Sequence, residues 1–598
     1  MATGQKILLG GVSALLLVAV IIGVVAGVMR STNHIGDDFE MPSTNKNNIN
    51  TVSKSIDSLC HITDYKDTCV DTLSTVNDDN GSPDPKSIVT AAIKATSVEF
   101  EIAFKKSKTM GDGTHDNMNK EALTDCHELL EYAIGELQDA LASSERGDAE
   151  HIRRRSDDLK NWLSAVMAYQ VICLDGLTHP ELKTNMTKGL DKATELTKNA
   201  LAITTEITNL LDSMKDALHL KDGLIGMGGA GAAAAGGGLL TAGFLKGGRK
   251  LLNSGVNDGG RYPQWFSAAE RKLLRSTHSN KVKPNIVVAK DGSGNFSSIQ
   301  KAIDSVPLKS TERFVIHVKR GVYKENVIIG KKTLNVFMYG DGSKKTIITG
   351  NKNFIDGTPT FRTATLAAMG NGFICKSIGF QNTAGAEKHQ AVALRVQSDL
   401  SAFFNCRMDA YQDTLYAQTH RQFYRNCVIS GTIDFIFGMS SSVFQNCLII
   451  IRKPMDNQRN IITASGRSYK YEDTGIIIHN CRIVPDRSLQ HFRKEVKSYL
   501  GRPWKEYSRT IYMESQIGDL IQPEGWLEWD GDYALKTLDY AEYANTGPGA
   551  NTSERVQWKG YHIIKSKAEA LKFTVGNFLE GDSWISYTGI PFIKGLKN

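Results

Sequence analysis

The sequence predicts two folded territories of different class, an all-α helical bundle followed by an all-β parallel β-helix. Three observations predict it. Apolar residues recur at three- and four-residue steps from about residue 52 to 215. From about residue 284 the texture changes to short β-rich runs such as "RFVIHV", "LNVFMYG" and "GIIIHNCRIV", punctuated by Gly, Asn and Asp. Within that second territory Asn-Cys recurs at 405–406, 426–427, 446–447 and 480–481, at intervals of 21, 20 and 34 residues. Repeats of about twenty residues made of strands and turns suggest a solenoid whose coils stack as parallel strands. Chance recurrence within a β-sandwich is the alternative. Asn382 in "FQNT" extends the series backward by 23 residues.

At 598 residues the chain is long enough for three or four domains, and 41% hydrophobic with 23% charged residues is a globular composition. A net charge of +7 is mildly basic and spread over a long chain. No Lys/Arg run interleaved with aromatics appears, which argues against nucleic acid as a partner.

The N-terminus carries an uncharged apolar run of 23 residues, Ile7 to Met29, flanked by Lys6 and Arg30. It is long enough to span a bilayer and reads as a long cleaved signal or an uncleaved signal anchor, the only membrane contact expected. Either sends the rest of the chain into the secretory pathway, so the nine cysteines become disulfide candidates. Acceptor sequons stand at Asn80, Asn185, Asn295 and Asn551.

The segments follow in order. Residues 1–30 are the signal or anchor, and 31–50 a linker. Residues 51–216 form the bundle, in which Leu123, Cys126, Leu129, Leu130, Ala133, Ile134, Leu137 and Leu141 share one helix face. Cys60 and Cys69 are placed to close a small loop, and Cys126 with Cys173 could pin two helices. Residues 217–282 are a linker, because the glycine density of Gly223 to Gly248 defeats helix and strand alike. A phosphate-cradling loop is excluded there by the missing Gly-Lys-Ser/Thr ending. The basic pairs Arg249-Lys250 and Arg271-Lys272 read as processing sites for a protease. Residues 283–594 are the β-rich domain.

Within it, Asp413 and Asp434 lie 21 residues apart among Ile, Phe and Tyr. In a solenoid of that period they are stacked neighbours, about 4.8 Å apart in backbone position. Two carboxylates so close do not both ionise cheaply, which divides the pair into a protonated acid and a charged nucleophile. Gln412 precedes the first acid, and Gln390 lies one turn earlier; two amide donors beside two carboxylates suit a developing oxyanion. Arg502 in "LGRPW" could hold Asp434 ionised and oriented. Trp504, Tyr416, Phe435 and Trp526 are candidates for stacking on sugar rings, and Thr360 is a further candidate for substrate contact.

"GVYKE" (Gly321–Glu325), "HQAVALRV", "YQDTLYA", "GTIDFIFG" and "YLGRPW" resemble, in order, the signature segments of plant pectin methylesterases. The helical part with its four cysteines resembles the pectin methylesterase inhibitor domain that precedes many of them. The resemblance implies an all-α four-helix bundle, then an all-β right-handed parallel β-helix. It implies a carbohydrate esterase that needs no metal or other cofactor, acting on methylated homogalacturonan outside the cell, with the N-terminal domain an intramolecular inhibitor. By motif, Asp434 would be the nucleophile, Asp413 the acid/base, Gln390 and Gln412 the oxyanion donors, and Arg502 the residue that positions Asp434. Trp504 would line the cleft. Met439 stands where family members commonly carry Asn, and Gln418 where many carry His. Cys406–Cys427 and Cys447–Cys481 lie within bridging reach if their side chains face each other, or form a stack of buried thiols, with Cys375 left over. Two rivals remain at this stage: a β-helix hydrolase or lyase that cuts the pectin backbone, and an inhibitor carrier with a silent catalytic half.

Overall fold

The computed structural model describes residues 56–74, 76, 84–108, 116–225 and 283–597, which divide into two compact units. The apolar stretch 7–29, both basic pairs and Asn80 lie outside the described residues. Among the described residues no helix is long and apolar enough to cross a membrane.

The first unit is built on four long helices, Pro85–Ser107, Asn117–Ser144, Ser156–Gly176 and Pro180–Ile225. The first starts where Asp84 accepts hydrogen bonds from the Lys86 and Ser87 amides, with Pro85 at its first position. In the second, Leu123, Cys126, Leu129, Leu130, Ala133 and Leu137 are buried as the periodicity requires, while Ile134 and Leu141 lie at the edge of the stripe. Disulfides join Cys60 to Cys69 and Cys126 to Cys173, the latter linking the second and third long helices.

The second unit is a three-sided solenoid. Sheet A has 11 strands, from Ile286–Val288 to Tyr561–Ile563; sheet B has 8, from Gly321–Lys324 to Gln516–Ile517; sheet C has 7, from Val327–Ile329 to Ser498–Gly501. Every pairing between named strands is parallel, and apart from the first and last pairs of sheet A no strand pairs with its neighbour in sequence. The register of sheet C sets Leu415 opposite Ile436, an offset of 21 residues. Inside, Phe403, Tyr424 and Phe444 form a continuous stack with centroid spacings of 5.0 and 4.4 Å.

The corner from sheet A to sheet B explains the recurrent Asn-Cys. Asn405, Asn426, Asn446 and Asn480 all have φ between 51° and 56°. That left-handed state is one Asn tolerates better than most residues. The following cysteine points inward and lies against the previous coil: the sulfurs of Cys427, Cys447 and Cys481 contact the carbonyls of Phe403, Tyr424 and Phe444 at 3.4, 3.5 and 3.2 Å. One open alternative is decided here and one expectation is corrected. Cys406, Cys427, Cys447 and Cys481 form no disulfides but a column of buried thiols, and Cys375 joins it, 3.7 Å from Cys406 in sulfur separation. Asn382 does not continue the series: the corner before Asn405 is Ser377 (φ 57°), and the Asn382 amide instead donates to the Lys352, Thr363 and Val392 carbonyls.

Sheet edges are covered at the first coil by helix Ile299–Asp304, which buries Ile299, Ala302 and Ile303. The outer face of sheet A is covered by the C-terminal helices, whose Ala570, Val575, Leu579, Trp584 and Ile585 pack on Phe337, Phe423, Val443 and Ile511. Asn185, Asn295 and Asn551 are exposed.

Candidate active site

The chain passes from sheet B to sheet C through short corners at residues 410–414 and 432–435, and both acids sit there. Asp413 (φ 64°) and Asp434 (φ 50°) share the left-handed backbone state. The Asp413 amide donates to the Ile433 carbonyl at 3.0 Å and the Leu415 amide to that of Phe435 at 3.0 Å, so the two corners are laced one coil apart. Gln390 and Gln412 pair as a parallel bridge. Both side chains are half-buried, and among the described residues neither amide has a partner within the protein. Two free donors thus flank two acids.

The acids differ in their partners. Arg502 grips Asp434 with both arms, Nε to Oδ1 at 2.9 Å and Nη2 to Oδ2 at 2.6 Å. The Asp413 carboxyl has no hydrogen-bond partner among the described residues. Both are nearly buried, at 7% exposure for Asp413 and 6% for Asp434. Burial pushes the Asp413 carboxyl well above its usual range, and the charge of Asp434 adds to the rise. Burial also raises Asp434, but the Arg502 guanidinium opposes it. Asp413 is therefore the one more readily protonated, and Asp434 the one held as a carboxylate.

The strands that follow the two corners, with the Arg502 segment, carry an aromatic cluster. Tyr416 stacks on Phe437 at 4.3 Å, and Phe437 meets Trp504 edge-on at 5.9 Å. Thr360, half-buried, opens a short helical turn, Thr360–Arg362. Two aromatic candidates are corrected. Phe435 is fully buried in the solenoid core, and Trp526, 1% exposed, stacks on Tyr540 at 4.3 Å inside it. The exposed tryptophan is Trp529, three residues on, whose ring lies 4.2 Å from the Arg502 guanidinium carbon. Sequence reading missed it, along with Phe437 and with Arg395, which stacks on Phe361 at 3.6 Å. Gln418 accepts from Arg395 at 3.0 Å, and Met439 packs with Trp504 around Gly466.

Comparison with known proteins places these features. The family model Pectinesterase matches residues 285–582, and the model Plant invertase/pectin methylesterase inhibitor matches residues 54–203. A Solanum lycopersicum protein named pectinesterase/pectinesterase inhibitor U1 is 40% identical over 99% of this chain and 97% of its own length. The chain belongs to the pectinesterase family. Citrus sinensis pectinesterase 1 is 40% identical over 96% of this chain and 92% of its own. Among solved structures, pectin methylesterase from carrot is 52% identical, with TM-score 0.53, covering 53% of this chain and 100% of that one. The chain is thus a pectinesterase, a carboxylic ester hydrolase, with an inhibitor-like helical domain ahead of its β-helix.

Proposed function

We propose that the β-helix hydrolyses methyl esters of galacturonate units in methylated homogalacturonan through an acyl-enzyme. Asp434 attacks the ester carbonyl, and the Gln390 and Gln412 amides donate to the oxyanion that forms. As the tetrahedral intermediate collapses, Asp413 gives its proton to the departing methoxide, and methanol leaves. A water molecule then loses its proton to Asp413 and attacks the acyl carbonyl. The galacturonate carboxyl is released and Asp434 is regenerated. Trp504, Tyr416 and Phe437 form the floor on which sugar rings lie, and Arg502 is a positioning residue for the nucleophile. The observation that carries this reading is the asymmetry of the acid pair: one carboxylate held by two charge-assisted hydrogen bonds, its neighbour buried without a partner.

The test is methanol release from methylated pectin by the chain and by its Asp413→Asn and Asp434→Asn variants, with polymer length followed in parallel. Loss of release in both variants without chain shortening in the parent supports the mechanism. Full activity of Asp434→Asn, or shortening of the polymer, would sink it.

The helical unit acts, on this reading, as an intramolecular inhibitor that a protease removes at a basic pair, the enzyme working in the cell wall after secretion. Matching of the β-helix alone to the whole carrot chain supports its folding without the helical unit. Adding separated helical unit to the β-helix should lower methanol release as the ratio rises; an unchanged rate over a wide ratio counts against the idea.

A further inference from the structure

The segment after helix Gly581–Thr588 returns to the outer face of sheet A, where Ile590 is buried and Phe592 and Leu596 pack against the same apolar cluster. Polar side chains hold it there as well. One row of the sheet runs Phe404, Arg425, Gln445, His479, Met513 and Tyr543, each opposite the next. Gln445 clasps the segment at Ile593: its Oε1 accepts from the Ile593 amide at 2.8 Å, and its Nε2 donates to the Ile593 carbonyl at 2.9 Å. Glu514, which follows Met513, holds the segment again at Lys597, whose amide donates to Oε2 at 2.8 Å. Between the two holding points lies His479, fully buried. Its Nε2 stands 2.8 Å from the same Glu514 oxygen, and its Nδ1 3.1 Å from the Gln445 Nε2.

The ends of this relay fix its protons. The Gln445 Oε1 faces two donors, the Ile593 amide and the Arg425 Nη1, each at 2.8 Å, so the side-chain amide stands only one way round. Its NH2 therefore points at the imidazole, and Nδ1 is the bare, accepting nitrogen. The Glu514 carboxylate accepts, so the proton of the neutral ring sits on Nε2. A second proton, on Nδ1, would face an N–H donor across 3.1 Å. Turning the Gln445 amide to receive it would set NH2 against the Ile593 amide and the Arg425 guanidinium. A charged His479 and a clasped Ile593 thus exclude each other. Of the charged groups around the ring, Glu514 touches it and Arg425 acts from the far side of Gln445. The segment brings Lys597, 3.4 Å from the Asn480 Oδ1, and Lys594, paired with Asp582. Burial holds the imidazole below its ordinary range and the Arg425 charge adds to the fall, against the pull of Glu514.

We propose that Gln445, His479 and Glu514 form a proton-operated latch on the C-terminal segment 590–597, closed while His479 is neutral and released when Nδ1 takes a proton from solvent. The sign follows from linkage. Docked, the ring resists the proton; released, it returns to its ordinary value of about 6.5. Docking is therefore at full strength above about pH 6.5 and weakens by about tenfold for each pH unit below it, until the docked ring itself titrates. Ester hydrolysis yields a carboxylic acid that gives up its proton near neutrality, so the latch responds to the product of the enzyme's own reaction.

Amide hydrogen exchange of the full chain between about pH 7 and about pH 5, corrected for the intrinsic effect of pH on exchange, tests the latch. Protection at residues 590–597 should fall by about tenfold per unit below about pH 6.5 in the parent, while sheet C stays protected. His479→Gln keeps one acceptor and one donor but does not titrate, and its protection should stay level over the range. Gln445→Glu offers an oxygen to a charged His479, so its segment should start less protected, having lost the bond to the Ile593 carbonyl, and then lose nothing more on acidification. That variant decides the matter where His479→Gln does not fold. The proposal is overturned by a parent segment that keeps its protection throughout, by either variant opening with acid as the parent does, or by an equal loss across sheet C.

Discussion

Replacing Arg502 by alanine strips Asp434 of both hydrogen bonds, at 2.9 and 2.6 Å, while leaving its carboxyl 8% exposed. Removing one partner of a buried pair costs about 3–5 kcal/mol, because a charge is left without compensation. Arg502 itself is 22% exposed, so water replaces part of the lost interaction and the lower figure, about 3 kcal/mol, applies. With the guanidinium gone, nothing opposes the effect of burial, and the Asp434 carboxyl rises further. Asp434 must be ionised to attack, so the acid limb of kcat/KM moves to higher pH, and at a pH below the limb a loss of about 3 kcal/mol in holding the carboxylate lowers the rate by about 100-fold. Arg502→Lys keeps a charge but cannot grip both oxygens, and its limb falls between the two. Initial rates of methanol release from acid to neutral pH measure all three. A rate loss in Arg502→Ala with the acid limb unmoved would refute the assignment and leave Arg502 a substrate contact only.

Asp413→Asn should abolish turnover yet raise stability. The Asp413 carboxyl lies above its unfolded value of about 3.9, so the folded chain binds its proton more tightly, an advantage complete below that value and lost as pH rises through the folded one. The melting temperature of the variant relative to the parent should therefore climb over that window; a gap that stays flat or closes with rising pH contradicts the burial argument. Reduction should destabilise only the helical unit. Opening the Cys126–Cys173 link, which spans 47 residues, removes about 4 kcal/mol on the chain-entropy model. The β-helix transition should stay in place, and its five buried thiols should react with a thiol reagent only as that transition occurs. Gly438→Ala should cost about 3 kcal/mol or more in chemical denaturation, since Gly438 has φ 138° and a β-carbon there would sit 1.8 Å from the Ala417 carbonyl oxygen.

What the sequence revealed of the site depended on periodicity. The 21-residue interval between the acids is legible because stacked coils turn spacing into proximity, and the sheet C register repeats that interval at Leu415 and Ile436. Spacing says nothing about side-chain direction, and the misreadings gather there. Spacing allowed Cys406–Cys427 and Cys447–Cys481 to bridge coils, but the thiols stay free, with those of Cys427 and Cys447 each set against a carbonyl of the preceding coil. Two tryptophans stand three residues apart in "WLEW". Only the fold decides that Trp526 fills the core against Tyr540 while Trp529 covers Arg502.

The backbone state of the two acids separates chemistry from structure in the variants. A residue other than Gly pays about 1–2 kcal/mol to adopt the left-handed conformation, and Asn and Asp pay least because their short polar side chains bond locally. The solenoid uses Asn for that state at its A-to-B corners, at 405, 426, 446 and 480, and Asp at the corners that carry 413 and 434. Asparagine at either acid therefore keeps the turn, whereas alanine adds strain in a backbone that the Asp413-to-Ile433 hydrogen bond holds in place. Asp413→Ala and Asp434→Ala should each be less stable than the matching Asn variant by about 1 kcal/mol in chemical denaturation, with turnover lost equally in both. Equal stability of the Asn and Ala forms would mean that the corner relaxes freely, and the fixed separation of the two carboxyls would then need another cause.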